Sequence, residues 1–147
     1  MRIEEVSEDT VEEWLPLALA LWPDDSTDEM RETLDSIIQS SGQTGFLARN
    51  EGGLAVGFIN LSLRSDYVPG ADRTPVAYVE GIYVAPDQQQ QGIGRALIER
   101  AEQWATTQGC SELASDVMLG NALGENFHNK VGFEEVERVI FFIKKIQ

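Results

Sequence analysis

The chain has 147 residues, 42% of them apolar and 24% charged, a balance that suits one domain (1–147) built on one hydrophobic core. Its 25 acidic residues against 11 basic ones give a formal net charge of −14, a surface that nucleic acid phosphates repel. No apolar run reaches the roughly 20 residues of a membrane helix, the start Met1-Arg2-Ile3-Glu4-Glu5 is too acidic for a secretory signal, and Cys110, the single cysteine, excludes an internal disulfide; the expectation is a cytoplasmic protein without nucleic acid or membrane partners.

Short apolar and helical stretches alternate with no repeat or linker, which predicts a mixed α/β domain. Residues 2–7 read as a strand. Thr10-Val11-Glu12-Glu13 has capping-box spacing, and Val11, Trp14, Leu15, Ala18, Leu21 and Trp22 recur at helical intervals. Pro23 breaks that helix. Ser26-Thr27-Asp28-Glu29 is a second box and opens a helix to about residue 40. Strands are expected over 44–49 and 53–63, joined at Glu51-Gly52-Gly53, with a polar loop after them. Residues 76–84 are strongly apolar and β-prone, as in a central strand. A helix follows over 92–108, a short strand over 112–116, a short helix over 121–131 ended by Gly132, and a last strand over 133–146.

The sharpest motif is Val79-Glu80-Gly81-Ile82-Tyr83-Val84-Ala85-Pro86, then Gln89-Gln90-Gln91-Gly92-Ile93-Gly94-Arg95. A buried strand runs into a short turn, and two glycines open a helix. Backbone N–H groups at such a helix start bind phosphate, helped by the helix dipole, and a side chain there would hold the ligand away. The bland alternative is a tight strand-to-helix connection. The motif lacks the Gly-Lys-Ser/Thr ending of a P-loop, and it is not the dinucleotide fingerprint.

Gln89-x-x-Gly92-x-Gly94 after Tyr83-Val84-Ala85-Pro86 resembles the acetyl-coenzyme A signature of the GNAT N-acetyltransferases. Residues 121–133, ending in Lys130-Val131-Gly132-Phe133, resemble the second signature of that superfamily. The resemblance implies a mixed central sheet of about six or seven strands with flanking helices, whose two central parallel strands splay apart to bind acetyl-CoA. Ile82, Tyr83 and Val84 would pair with the pantetheine amides as a strand does. The N–H groups of Gln89, Gln90, Gln91, Gly92, Ile93, Gly94 and Arg95 would hold the pyrophosphate, and the Asn121 side chain would reach the cofactor arm. No metal is implied, and no metal-ligand spacing is present.

Further segments resemble aminoglycoside 6′-N-acetyltransferases: Leu21-Trp22-Pro23, Asp66-Tyr67-Val68, Val79-Glu80-Gly81-Ile82, Ala114-Ser115-Asp116, and Gly132-Phe133-Glu134-Glu135 through Phe141. The resemblance implies that Trp22, Tyr67, Glu80, Asp116 and Glu137 contact the acceptor. Carboxylates suit the ammonium groups of such polycations, and aromatic faces suit their sugar rings. The negative surface would steer a polycation inward, where solubility alone is the plainer account.

Each residue also has an ordinary structural role open to it. Trp22 can plug the core, Tyr67 can anchor a turn, Asp116 can cap the helix that follows, and Glu137 can be a solvated strand residue. Glu80 sits in so apolar a strand that a lone carboxylate there is costly unless it is paired or solvated by a site.

Amide formation needs a neutral amine and a proton for the departing thiolate. Glu80 is the first candidate to accept the amine proton, Asp116 the second. Many GNAT enzymes carry a tyrosine acid in the second signature, where this sequence has His128, its only histidine. An exposed helical histidine without a catalytic role is the alternative. Cys110 follows Gly109 at a turn and reads as a buried small residue rather than an acyl carrier. Direct transfer in a ternary complex is the family expectation. The alternatives are a GNAT enzyme for another amine (a polyamine, an amino acid or a protein N-terminus) and a non-catalytic CoA-binding module. Phe141-Phe142-Ile143 would leave one face apolar and needing cover, which together with the family's habit of pairing points to a homodimer.

Overall fold

The computed structural model covers residues 1–147. Its order is β1 (Arg2–Glu5), α1 (Val11–Leu21), α2 (Thr27–Gln39), β2 (Gln43–Arg49), β3 (Ala55–Arg64), β4 (Val76–Val84), α3 (Ile93–Thr107), β5 (Leu113–Ala114) and α4 (Ala122–Lys130). The strands form one sheet in the order β1-β2-β3-β4-β5. The first four are antiparallel, with α1 and α2 in the connection between β1 and β2, and β5 lies parallel to β4 after the α3 crossover.

Alternation along the strands divides the apolar residues between two layers. Leu47 and Phe58 face α1 and α2, where Trp14, Ala18, Met30 and Leu34 are buried. Phe46, Ile59, Leu61, Ala77 and Val79 face α3, against Leu97, Ala101 and Trp104. Arg49 is the charged residue of this interior. It is bound by Glu4 at 2.5 Å and by Glu13 at 2.5 and 2.8 Å, so a buried guanidinium meets two carboxylates.

The helix starts follow local chemistry. Ser26 caps α2, accepting from the Glu29 amide while the Glu29 carboxylate accepts from the Ser26 amide, as its spacing predicts. The box expected at Thr10 is shifted: Ser7 and Thr10 cap a single 3-10 turn, and Thr10 makes no cap bond to α1.

Five strands form where six or seven are expected. Residues 133–146 are rich in apolar side chains, yet they form no strand and from Glu134 onward run exposed along the surface. The physical reason is the lack of a partner within the chain. A strand needs a second ladder of N–H and C=O groups, and this segment meets none. Phe133 packs on the α3-side core, and the Val136 side chain sits where a β-carbon on Gly70 would lie.

Phe58 joins the two ends of the α1 layer, packed at 6.1 Å from Trp14 and 5.7 Å from Trp22. Phe58→Ala is expected to cost about 3–5 kcal/mol in urea unfolding, the usual range for a fully buried aromatic ring.

Candidate active site

β4 and β5 pair only at Ala77↔Leu113 and Tyr78↔Ala114. Beyond that point β4 continues paired to β3 but without a neighbour on its β5 side, and its residues change from buried (Val76 to Val79) to half-exposed (Glu80 to Val84). The sheet therefore opens in its interior, at the carboxyl ends of two parallel strands, where open α/β sheets bind ligands. Ile82, Tyr83 and Val84 line that opening.

At its far end stands the start of α3. Gly92 has φ +82°, the left-handed region that costs other residues a steric penalty, and no side chain caps the helix. The preceding Gln90 is also left-handed, at φ +62°. No acidic side chain lies in the first turn. The amides of that first turn have no side-chain cap and lie at the positive end of the dipole, which suits a diphosphate. Gln89 ties the turn back by donating from Nε2 to the Val84 carbonyl at 3.0 Å.

Gly94 has a different reason from the one its motif suggests. A β-carbon there would lie 2.8 Å from Cε1 of Phe127, so Gly94 lets α4 pack on α3. Arg95 adds to that contact, donating to the Lys130 carbonyl at 2.9 Å. Asn121 is the N-cap of α4, its Oδ1 accepting from the Gly124 amide at 3.0 Å.

Glu80 sits in a β-bulge. Asn60 pairs with Gly81 and Leu61 pairs with Val79, leaving Glu80 as the extra residue. Ser62 donates to its carboxylate, and Arg64 donates from Nε at 2.9 Å and Nη2 at 2.8 Å. Burial pushes the Glu80 carboxyl up, but the bonds from Arg64 and Ser62 outweigh it and hold the group below its ordinary value.

The Arg64 guanidinium also lies over the Tyr78 ring, 3.4 Å from its centroid. Tyr78 donates its hydroxyl to Asp116. Burial, then that bond, push the Tyr78 phenol well above its usual range. Glu80 and Asp116, chosen separately from the sequence, thus belong to one network through Arg64 and Tyr78. Ser62, Arg64 and Tyr78 are absent from the sequence reading. Their one signal is alternation, since Asn60, Ser62 and Arg64 project from the same face of β3.

Trp22 packs on Phe58 and over Gly81, where a β-carbon would lie 2.5 Å from its ring. It also lines a cavity of about 510 Å³ with Asp25, Gln43, Asn60 and Glu80. Both roles considered for Trp22 are therefore open to the same side chain. Tyr67 is 81% exposed, and Glu137 is exposed on the C-terminal segment; neither joins the Glu80–Asp116 network. His128 lies on α4, half-buried and hydrogen-bonded through both ring nitrogens. Cys110 is buried and its thiol points to the Pro75 carbonyl.

A sheet that parts beside an uncapped helix start defines an acyl-CoA-binding acetyltransferase fold. The acetyltransferase (GNAT) family profile matches residues 4–133, and the chain belongs to that family. It is 42% identical to an aminoglycoside N(6′)-acetyltransferase type 1 of Serratia marcescens, over 94% of both chains. The apo crystal structure of the aminoglycoside 6′-N-acetyltransferase AAC(6′)-Ig of Acinetobacter haemolyticus superposes with a TM-score of 0.92, at 35% identity and 100% coverage of both chains. AAC(6′)-Iy, solved with the bisubstrate analogue CoA-S-monomethyl-acetylneamine, gives 0.94 at 37% identity, covering 99% of this chain and 98% of that one.

The depressed Glu80 group fixes a sign. Its stabilising contribution is present above the unfolded glutamate value and is lost as pH falls through the lower folded value, below about 4.5. Glu80→Gln is expected to unfold with a shallower acid dependence in that window than the parent chain, measured by urea titration at stepped pH.

Proposed function

We propose that this chain is an aminoglycoside 6′-N-acetyltransferase, moving an acetyl group from acetyl-CoA to the 6′-amine by direct transfer in a ternary complex. The observation that carries the proposal is the site's two-sidedness. A stretch of β4 open on its β5 side and a bare α3 start suit a pantetheine diphosphate, while a carboxylate network beside the same opening suits a polycation. The similarity to enzymes of that specificity supports it.

Backbone groups of Ile82, Tyr83 and Val84 hold the acyl donor's arm as an added strand. Amides from Gln89 through Arg95 hold its diphosphate, and the free Nδ2 of Asn121 faces the arm. Trp22 presents an aromatic wall to the acceptor, and Glu80 and Asp116 hold its ammonium groups. Tyr67 and Glu137 stand outside and close on the acceptor only when their segments move inward. Glu80, kept ionised by Arg64 and Ser62, anchors the amine and takes its proton through water. His128 supplies the acid side of the reaction. The cytoplasm, where acetyl-CoA is made and used, is the compartment proposed.

A second copy of the chain is the proposed partner. Phe141, Phe142 and Ile143 are 91%, 91% and 93% exposed, far more apolar surface than a lone chain leaves in one run. The outer edge of β5 is unpaired and borders a cavity of about 340 Å³ that includes Leu113, Val131 and Phe133. An extended segment and an open edge in each copy are self-complementary under two-fold symmetry.

Thiol release from acetyl-CoA is the direct test, across kanamycin, tobramycin, spermidine and a peptide. Activity on the two aminoglycosides is expected; activity confined to spermidine would mark a polyamine enzyme, and binding without any turnover a CoA module. Glu80→Gln is expected to lower the turnover roughly 100-fold. Near-normal turnover would remove Glu80 from the chemistry. Light scattering should give twice the chain mass for the full protein and a single mass after truncation at Glu135; a monomeric parent would contradict the dimer.

A further inference from the structure

We propose that Ser115 and His128 form a single proton relay that ends on the departing thiolate; it rests on the acetyl-transfer reading above. The geometry begins at His128. Its Nδ1 lies 2.7 Å from the Gly124 carbonyl oxygen, and its Nε2 lies 2.7 Å from Ser115 Oγ. A carbonyl only accepts, so Nδ1 carries a hydrogen in both charge states of the ring. The second hydrogen of the charged ring is therefore on Nε2, the nitrogen that meets the serine. In the neutral ring Nε2 accepts the Ser115 hydroxyl. In the charged ring Nε2 donates to Ser115 Oγ, and the serine's hydrogen is freed to point elsewhere.

Where it points follows from the sheet. Ser115 comes directly after Ala114, the last residue of β5 paired with β4, so it stands where the strands part. Asp116 projects to the Tyr78 side, and the alternation of an extended chain sends Ser115 to the opposite side, toward α4. Phe127 and Phe133 flank the imidazole, with centroids at 5.8 and 5.1 Å, and fix its plane. The charged groups on the surrounding elements are Glu125 and Lys130 on α4, Arg95 on α3 and Asp116 after β5. None bonds to the ring: Asp116 is held by Tyr78, and Arg95 by the Lys130 carbonyl.

The step balances without any further reactant. The amine N–C bond forms and the thioester C–S bond breaks. The thiolate takes the Ser115 hydroxyl hydrogen, Ser115 takes the hydrogen of Nε2, and the imidazolium becomes neutral and recharges from water. The amine's protons leave through water at Glu80. Ser115 is the group that touches the sulfur, and His128 acts through it.

Two measurements test the relay. Single-turnover transfer to an active aminoglycoside is compared for the parent, Ser115→Ala, Ser115→Thr and His128→Gln across pH. Ser115→Ala is expected to lose at least tenfold in rate, with the KM for acetyl-CoA within about twofold and without the parent's fall in rate at high pH. Ser115→Thr is expected to restore both rate and profile. A variant carrying both Ser115→Ala and His128→Gln is expected to lose no more than either single one, as for groups that act as a unit. Because His128 is the only histidine, its ¹⁵N signals are identified without assignment, and the neutral ring is expected to carry its hydrogen on Nδ1. A Ser115→Ala rate and pH profile equal to the parent's would overturn the relay, as would a neutral ring protonated on Nε2. A stable acetyl group on Ser115 by mass spectrometry would overturn it in favour of a nucleophile. A parent that acetylates no amine would take down the function and the relay together, a result distinct from an active parent matched by its serine variant.

Discussion

The parting of β4 from β5 is the constraint on which the rest of the molecule depends. Two residue pairs hold these parallel strands together, and then the ladder stops. On one side β4 stays paired to β3 as far as Val84; on the other, the backbone groups that a continued β5 would meet are left for a ligand, at the cost of an edge that the protein leaves open. The helices make this possible, because α1 and α3 pack on β3 and α2 on β2, so that β5 adds only Leu113 to the edge of the core.

Around that opening, electrostatics replaces hydrophobic packing. Arg64 neutralises Glu80, lies on Tyr78, and through Tyr78 is coupled to Asp116. Two carboxylates close to an apolar interior would repel each other and raise each other's proton affinity. With one guanidinium between them, Glu80 stays charged while remaining partly exposed to an incoming cation. The β-bulge serves the same end. Tyr78 and Tyr83 are an odd number of residues apart and yet face the same layer, because the bulge at Glu80 resets the alternation.

Much of this was legible in the sequence, and the gaps have physical causes. β4 forms over the predicted residues, since a long β-prone run needs no context. The Ser26–Glu29 box is local and was readable, whereas Thr10 was misassigned because Ser7 offers a competing cap one turn earlier. Gly92 was legible as a backbone requirement. Gly94 was not, because Phe127 lies 33 residues away and only the fold brings it there. Glu80 stood out as a carboxylate among apolar neighbours. Arg64 and Tyr78 looked like ordinary strand residues, because a network across strands leaves no periodic trace. The final strand does not form, since apolar, β-prone content does not record whether a partner exists to pair with it.

Hydrogen exchange at single-residue resolution, with and without CoA, tests the central claim most directly. The account predicts that saturating CoA slows exchange at the amides of β4 beyond Tyr78 and at Gly92 to Arg95, while β1 and β2 are unaffected. Unchanged exchange at those amides, in a protein saturated with CoA by calorimetry, would contradict it.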